Sequence, residues 1–126
     1  MNFIGHGIDL VACERIRVIL EKEGSPFEAR VFTPAEIAYC RRKKDPVPHF
    51  AARFAAKEAY GKAMGVGLGA SGDLLEVEVV HDEKGAPHLR LAGRAKELLE
   101  AAGGRAVLSL SHDGAFATAS VIIFGA

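Results

Sequence analysis

Residues 53–65 read RFAAKEAYGKAMG. Alanine is the best helix former. Asp45-Pro46 gives the stretch a helix start, and Gly65 suits a helix C-terminus. The pattern predicts one long helix over residues 45–64, which the rest of a short chain has to pack. Arg53, Lys57, Glu58 and Lys62 interrupt its alanines. A helix that only packs needs no carboxylate among three cations. Phe54, Glu58, Gly61, Lys62 and Gly65 share one face by three- and four-residue spacing. Glu58 and Lys62 are an i, i+4 pair in the favoured order. As an exposed ion pair they contribute only ~0.3–0.5 kcal/mol. Gly61 costs roughly 1 kcal/mol against alanine inside a helix. Its place there permits a close approach, by a ligand or by another backbone.

Around that helix the chain reads as a mixture. Residues 3–11 form a predicted strand with glycines at 5 and 7. Residues 12–23 form an amphipathic helix with Ile16, Ile19 and Leu20 inward, and Gly24-Ser25-Pro26 stops it. Thr33-Pro34-Ala35-Glu36 starts another with a capping box, running to about Arg42. Residues 65–72, GVGLGASG, are a glycine-rich loop. Residues 74–80 alternate as a strand, residues 82–87 turn, and residues 88–91 close a hairpin. A helix follows over 92–102. Two more strands, 106–112 and 116–124, meet at Asp113-Gly114. Strands and helices do not strictly alternate, so the class is α+β. Val121-Ile122-Ile123-Phe124 is apolar on both faces, which suits a central strand or one covered by a partner chain. No internal repeat, linker or low-complexity segment interrupts the chain.

At 126 residues the chain suggests one domain, residues 1–126. Hydrophobic residues make up 49% and charged residues 25%, a globular balance that argues against disorder. Sixteen basic and sixteen acidic residues cancel, so the net charge calls for neither nucleic acid nor a membrane surface. Apolar runs are too short to span a bilayer. The start MNFIGHGIDL lacks a signal-peptide pattern, so a cytoplasmic location is expected. Cys13 and Cys40 have no metal or disulfide spacing and read as small apolar fillers. The charge is unevenly placed, however. From Arg41 to Lys62, seven basic residues face only Asp45 and Glu58. This is either a solvated face with a basic turn or a polyanion site, and phosphate is the usual biological polyanion.

Asp9 is the second carboxylate of interest. It follows two glycines in GHGIDLV and is either an N-cap for the next helix or a ligand. Asp9 and Glu58, with waters and phosphate oxygens, would suit Mg²⁺, which typically takes one or two carboxylates. The glycine-rich loop is no Walker A loop, because G-x-x-x-x-G-K-[ST] is absent. It follows a helix rather than a strand, so it is no dinucleotide fingerprint either. It could offer backbone N–H groups to a phosphate or simply connect. Ser111-His112-Asp113 is no hydrolase triad, since alternation on a strand sends His112 to the opposite face. His112 at a strand end is a candidate anion ligand or a hydrogen-bonded turn residue. His6, His49, His81 and His88 show no metal-ligand spacing.

Five motifs in order carry a family resemblance: G-I-D-L at 7–10, F-T-P-A-E at 32–36, R-F-A-A-K-E-A at 53–59, K-A-M-G at 62–65 and S-L-S-H at 109–112. Together they resemble the holo-[acyl-carrier-protein] synthase family of small phosphopantetheinyl transferases, from about residue 3 to 124. Val66 stands where that pattern would place a small hydroxyl residue. The resemblance implies a phosphopantetheinyl transferase fold, with an antiparallel sheet packed on a long helix. It implies Mg²⁺-dependent transfer of 4′-phosphopantetheine from coenzyme A to a serine of apo-acyl carrier protein, in fatty acid biosynthesis. It also implies a homotrimer with coenzyme A in clefts between subunits. On that basis Asp9 and Glu58 are the expected Mg²⁺ ligands, and Glu58 is a candidate to take the serine proton. Lys62 is expected beside the phosphates. Arg53, Gly65, Gly67 and His112 are candidates for the nucleotide, and Arg15 and Arg17 for an acidic carrier helix. The competing class is a binding protein that grips RNA or another acidic partner through residues 41–44 and the cationic helix, but no aromatic stacking set or known module accompanies them. A nearer rival is a transferase of the same fold serving a carrier outside fatty acid synthesis.

Overall fold

The computed structural model describes residues 2–70 and 72–125. Strand β1 (Asn2–Ala12) leads into helices α1 (Cys13–Glu23), α2 (Ser25–Val31), α3 (Pro34–Arg41) and α4 (Val47–Met64). A 3-10 turn, Leu74–Glu76, precedes β2 (Val77–His81) and β3 (Pro87–Leu91). Helix α5 (Gly93–Ala101), β4 (Gly104–Asp113) and β5 (Phe116–Gly125) complete the order. The strands form two antiparallel sheets rather than one: a three-stranded sheet ordered β1-β5-β4 and a β2–β3 hairpin.

Helix α4 lies on the larger sheet because both surfaces are small there. Ala51, Ala55, Ala56, Ala59 and Ala63 are buried on α4, and Ala117, Ala119, Val121 and Ile123 are buried on β5. The closest approach is to β1. A Cβ on Gly5 would sit 2.0 Å from the Ala63 carbonyl oxygen, and one on Gly7 2.0 Å from that of Ala59. Only glycine lets helix backbone and strand backbone meet so closely. The run 121–124 is central, but not apolar on both faces for one reason. Val121 and Ile123 face α4, whereas Ile122 is exposed on the opposite face with Ile8, Leu10, Val107 and Phe116.

Gly24-Ser25-Pro26 ends α1 as its sequence predicts, but a helix not expected there follows at once. Gly24, at φ 62°, breaks the chain direction, and α2 starts at once with Pro26 in its first turn, where a missing N–H costs nothing. Phe27 and Val31 of α2 are buried in the core. The strand expected over 74–80 starts later, because Asp73 and Glu76 form a capping box around the 3-10 turn.

The capping box of α3 forms as its sequence predicts, with Thr33 and Glu36 bonding each other's backbone N–H. Glu36 does more. Its carboxylate also accepts from Lys57 Nζ at 2.8 Å and from Val79 N at 2.9 Å. Lys57 completes its three donors on the Leu74 and Val77 carbonyls at 2.9 and 2.7 Å. It therefore belongs to no solvated cationic face. It is fully buried, and it ties α3, α4 and β2 together. Burial pushes its ammonium below the ordinary lysine range, and Glu36 opposes that shift.

Candidate functional site

On β1, alternation turns Gly5, Gly7 and Asp9 toward α4. The two glycines bring the helix down, and Asp9 is the next side chain on that face. Asp9 is not a helix cap, since α1 begins at Cys13 with no side-chain cap bond. Lys62 Nζ instead donates to Asp9 Oδ1 at 2.9 Å and to the Ile8 carbonyl at 3.0 Å. Glu58, one turn earlier on α4, completes the group. Burial lifts its carboxyl above the usual range, the like charge of Asp9 lifts it further, and Lys62 and Arg15 pull it back. Among the described residues no hydrogen bond reaches the Glu58 carboxylate. Beside it opens a cavity of about 560 Å³, edged by Leu68, Gly69, Asp73, Glu76 and Arg94.

The glycine of α4 serves the chain itself. A Cβ on Gly61 would lie 2.7 Å from Leu68 N and 2.9 Å from Gly67 C, and Gly67 N donates to the Gly61 carbonyl at 3.0 Å. Of the two expected uses, the close neighbour is the returning loop backbone rather than a ligand. Gly65 and Gly67 hold φ of 82° and 72° with open space around them. The loop thereby folds back beside Glu58.

Arg53 and His112 meet elsewhere. Arg53 is only 2% exposed. Its guanidinium lies 4.0 Å from the centre of the Tyr39 ring. It donates to the His49 carbonyl at 3.2 Å, and its other terminal nitrogen sits 3.5 Å from His81 Nδ1. Tyr39 stacks flat on His81 with centroids 4.6 Å apart, and His49 meets His112 edge-on at 5.3 Å. These groups line a second cavity of about 240 Å³. Arg53 and Glu58 are five positions apart on α4, about 140° around its axis, and no residue lines both cavities.

Three of the other basic residues have local partners. Arg41 pairs with Glu28 and Arg17 with Asp45. Arg15 lies over the Phe54 ring at 5.5 Å. Ser111 and His112 point to opposite faces of β4, so no triad forms. Sequence reasoning missed Tyr39, His49 and His81. They come from α3, α4 and β2, and no spacing in the chain links them.

The donor set suits a hard dication. Two carboxylates converge, one of them without a donor, while no group of three or more His, Cys, Asp or Glu side chains gathers among the described residues. That matches an ion that keeps several waters beside one or two carboxylates. No helix among the described residues is long and apolar enough to cross a membrane.

Comparison with known proteins gives these features a context. The family model of the 4′-phosphopantetheinyl transferase superfamily matches residues 5–117. The holo-[acyl-carrier-protein] synthase of Syntrophus aciditrophicus (strain SB) is 47% identical over 122 residues, 96% of this chain and 95% of that protein. The crystal structure of the Neisseria meningitidis holo-[acyl-carrier-protein] synthase superposes with a TM-score of 0.89 at 33% identity, covering 96% of this chain and 98% of that one. The Bacillus anthracis enzyme, solved in complex with CoA (3′,5′-ADP), gives 0.83 at 33% identity, with full coverage of both chains. The chain belongs to the 4′-phosphopantetheinyl transferase superfamily and, within it, to the holo-[acyl-carrier-protein] synthase family of enzymes.

Proposed function

We propose that the chain, acting as one domain over residues 1–126, transfers 4′-phosphopantetheine from coenzyme A to a serine of apo-acyl carrier protein. The reaction needs Mg²⁺, releases adenosine 3′,5′-bisphosphate and serves fatty acid biosynthesis. The observation that carries this reading is the convergence of Asp9, Glu58 and Lys62 in a chain of this family.

Asp9 and Glu58 are the residues that would hold the metal. When bound there, Mg²⁺ would supply Lewis-acid stabilisation to the pyrophosphate oxygens. The serine oxygen bonds to the pantetheine-side phosphorus, and the bond from that phosphorus to the bridging oxygen breaks. The bridging oxygen keeps the electron pair and leaves with the adenosine bisphosphate. Glu58, directly or through a metal-bound water, is the residue that would receive the serine proton. The Lys62 ammonium, 2.9 Å from Asp9, offsets charge on the departing phosphate. Arg53, Gly65, Gly67 and His112 hold the nucleotide.

One chain does not turn both groups toward one ligand, given the angle between Arg53 and Glu58 on α4. The reading therefore places the site between copies in a homotrimer, with Arg53 and His112 given by a neighbour. The exposed apolar face of Ile8, Leu10, Val107, Phe116 and Ile122 supports such an assembly. Arg15 and Arg17 on α1 would meet an acidic helix of the carrier, in a salt-sensitive contact.

Intact-mass spectrometry of several apo-carrier proteins, incubated with the protein, coenzyme A and Mg²⁺, tests the proposal. A phosphopantetheine adduct is expected on the fatty-acid carrier and is lost with EDTA. No adduct on any carrier, from a folded sample that binds coenzyme A, would contradict it.

A further inference from the structure

We propose that the cavity beside Tyr39 is a proton-linked phosphate site, in which His49 and His81 take up protons as a phosphate monoester seats against Arg53. The inference rests on the reading that Arg53 and His112 hold the nucleotide, and it adds Tyr39, His49 and His81 to that site.

Arg53 is a buried cation with no carboxylate in ion-pairing distance among the described residues. Its Nε is the one buried side-chain polar atom without a partner among them. A buried charge without a counter-ion is costly, and here the surroundings make matters worse. Lys43 Nζ and the Arg42 guanidinium lie 4.7 and 5.6 Å from the Tyr39 ring centre, on which Arg53 also rests. The carboxylates facing this group are few. Asp45 acts on His49 but pairs with Arg17, and Asp82 acts on His81 but pairs with His88. What the cluster lacks is an anion. The cavity, about 240 Å³, is below the ~300–1,000 Å³ usual for a whole small-molecule ligand, so it suits a phosphate group rather than a complete cofactor.

The imidazoles give this anion site its pH dependence. His81 Nδ1 receives the 3.5 Å contact from Arg53 only while that nitrogen carries no proton. A proton there turns both groups into donors for an incoming phosphate. Stacking on Tyr39 favours the cationic ring. In the free protein, burial holds His49 and His81 below the ordinary histidine range; His112, Lys43 and Arg53 add to this at His49, and Arg53 and Lys43 at His81. A seated dianion reverses that balance. Affinity is then strongest where the imidazoles carry protons and the phosphate, with a second pKa of about 6, is still doubly charged. It weakens as pH rises through the histidine range.

NMR titration of the histidine rings in the full chain tests this, free and saturated with adenosine 3′,5′-bisphosphate, adenosine 5′-monophosphate or inorganic phosphate. His49→Gln and His81→Gln assign the signals. The bisphosphate is expected to raise both ring pKa values by about one unit, roughly tenfold in affinity per histidine. The monophosphate arm tells which phosphate is seated, and inorganic phosphate tells whether the nucleoside is needed; a rise in any arm supports the site. Binding of the bisphosphate with both rings titrating unchanged would overturn the inference and leave the transferase reading standing. No binding of any nucleotide to the folded protein would remove both.

Discussion

Glu58 carries its proton affinity in the wrong direction for a structural residue. Its folded-state pKa is raised by burial and by Asp9, so folding favours the protonated form. The stability linked to it is present below the ordinary glutamate range and is lost as pH rises through the raised folded value. At neutral pH the ionised carboxylate is a burden on the fold. Glu58→Gln is expected to raise the apparent Tm at pH 7 in EDTA while reducing transfer by about 10²-fold or more. Mg²⁺ is expected to raise the Tm of the unmodified protein and not that of the variant. Differential scanning calorimetry with and without the metal checks both. A variant that melts lower in EDTA would mean that Glu58 is a satisfied structural group. The neighbouring letters show what a sequence can tell at this scale. Lys57 and Glu58 look alike as charges on an alanine helix, but one step of about 100° sends Lys57 into the core against Glu36 and leaves Glu58 beside a cavity. The helix was legible, and its charged residues could be named. Which of them was buried depended on the position of α3, which no local pattern specifies.

The elements that the sequence made legible are those with local chemistry. The capping box at Thr33, the C-terminal glycine of α4 and the β2–β3 hairpin all carry their own turn or cap residues. Helix α2 was hidden because Pro26 reads equally as a breaker and as a first-turn residue. The 3-10 turn was hidden because the alternation of Leu75, Glu76, Val77, Glu78 and Val79 runs across its boundary with β2. Gly5 and Gly7 were visible as oddities in a strand, but their reason is tertiary: α4 presses its backbone on them. Gly7→Ala is therefore expected to force β1 and α4 apart. The cost should be about 1–3 kcal/mol by the overpacking scale, read in urea melts. The Asp9–Lys62 contact should loosen, and transfer should fall by more than the stability loss explains. A fully active, equally stable Gly7→Ala would show that the close approach is not needed to align the site.

At the scale of the whole molecule, Arg53 and Glu58 lie on different sides of α4 and line different cavities, and the proposed function joins them between copies. The exposed apolar sheet face and the separation of Arg53 from Glu58 point the same way. On the proposed reading the two halves serve different subunits, which a single sequence does not reveal, so the candidate residues were legible and their grouping was not. Mixing inactive variants tests this most directly. Arg53→Met and Glu58→Gln are each expected to lose nearly all transfer when assembled alone. Unfolded and refolded together in equal amounts, they should recover about a quarter of the unmodified activity, because in a cyclic trimer one interface in four joins an intact Glu58 to an intact Arg53. Mixed assemblies as inactive as the parents would contradict the account and return both clusters to a single chain.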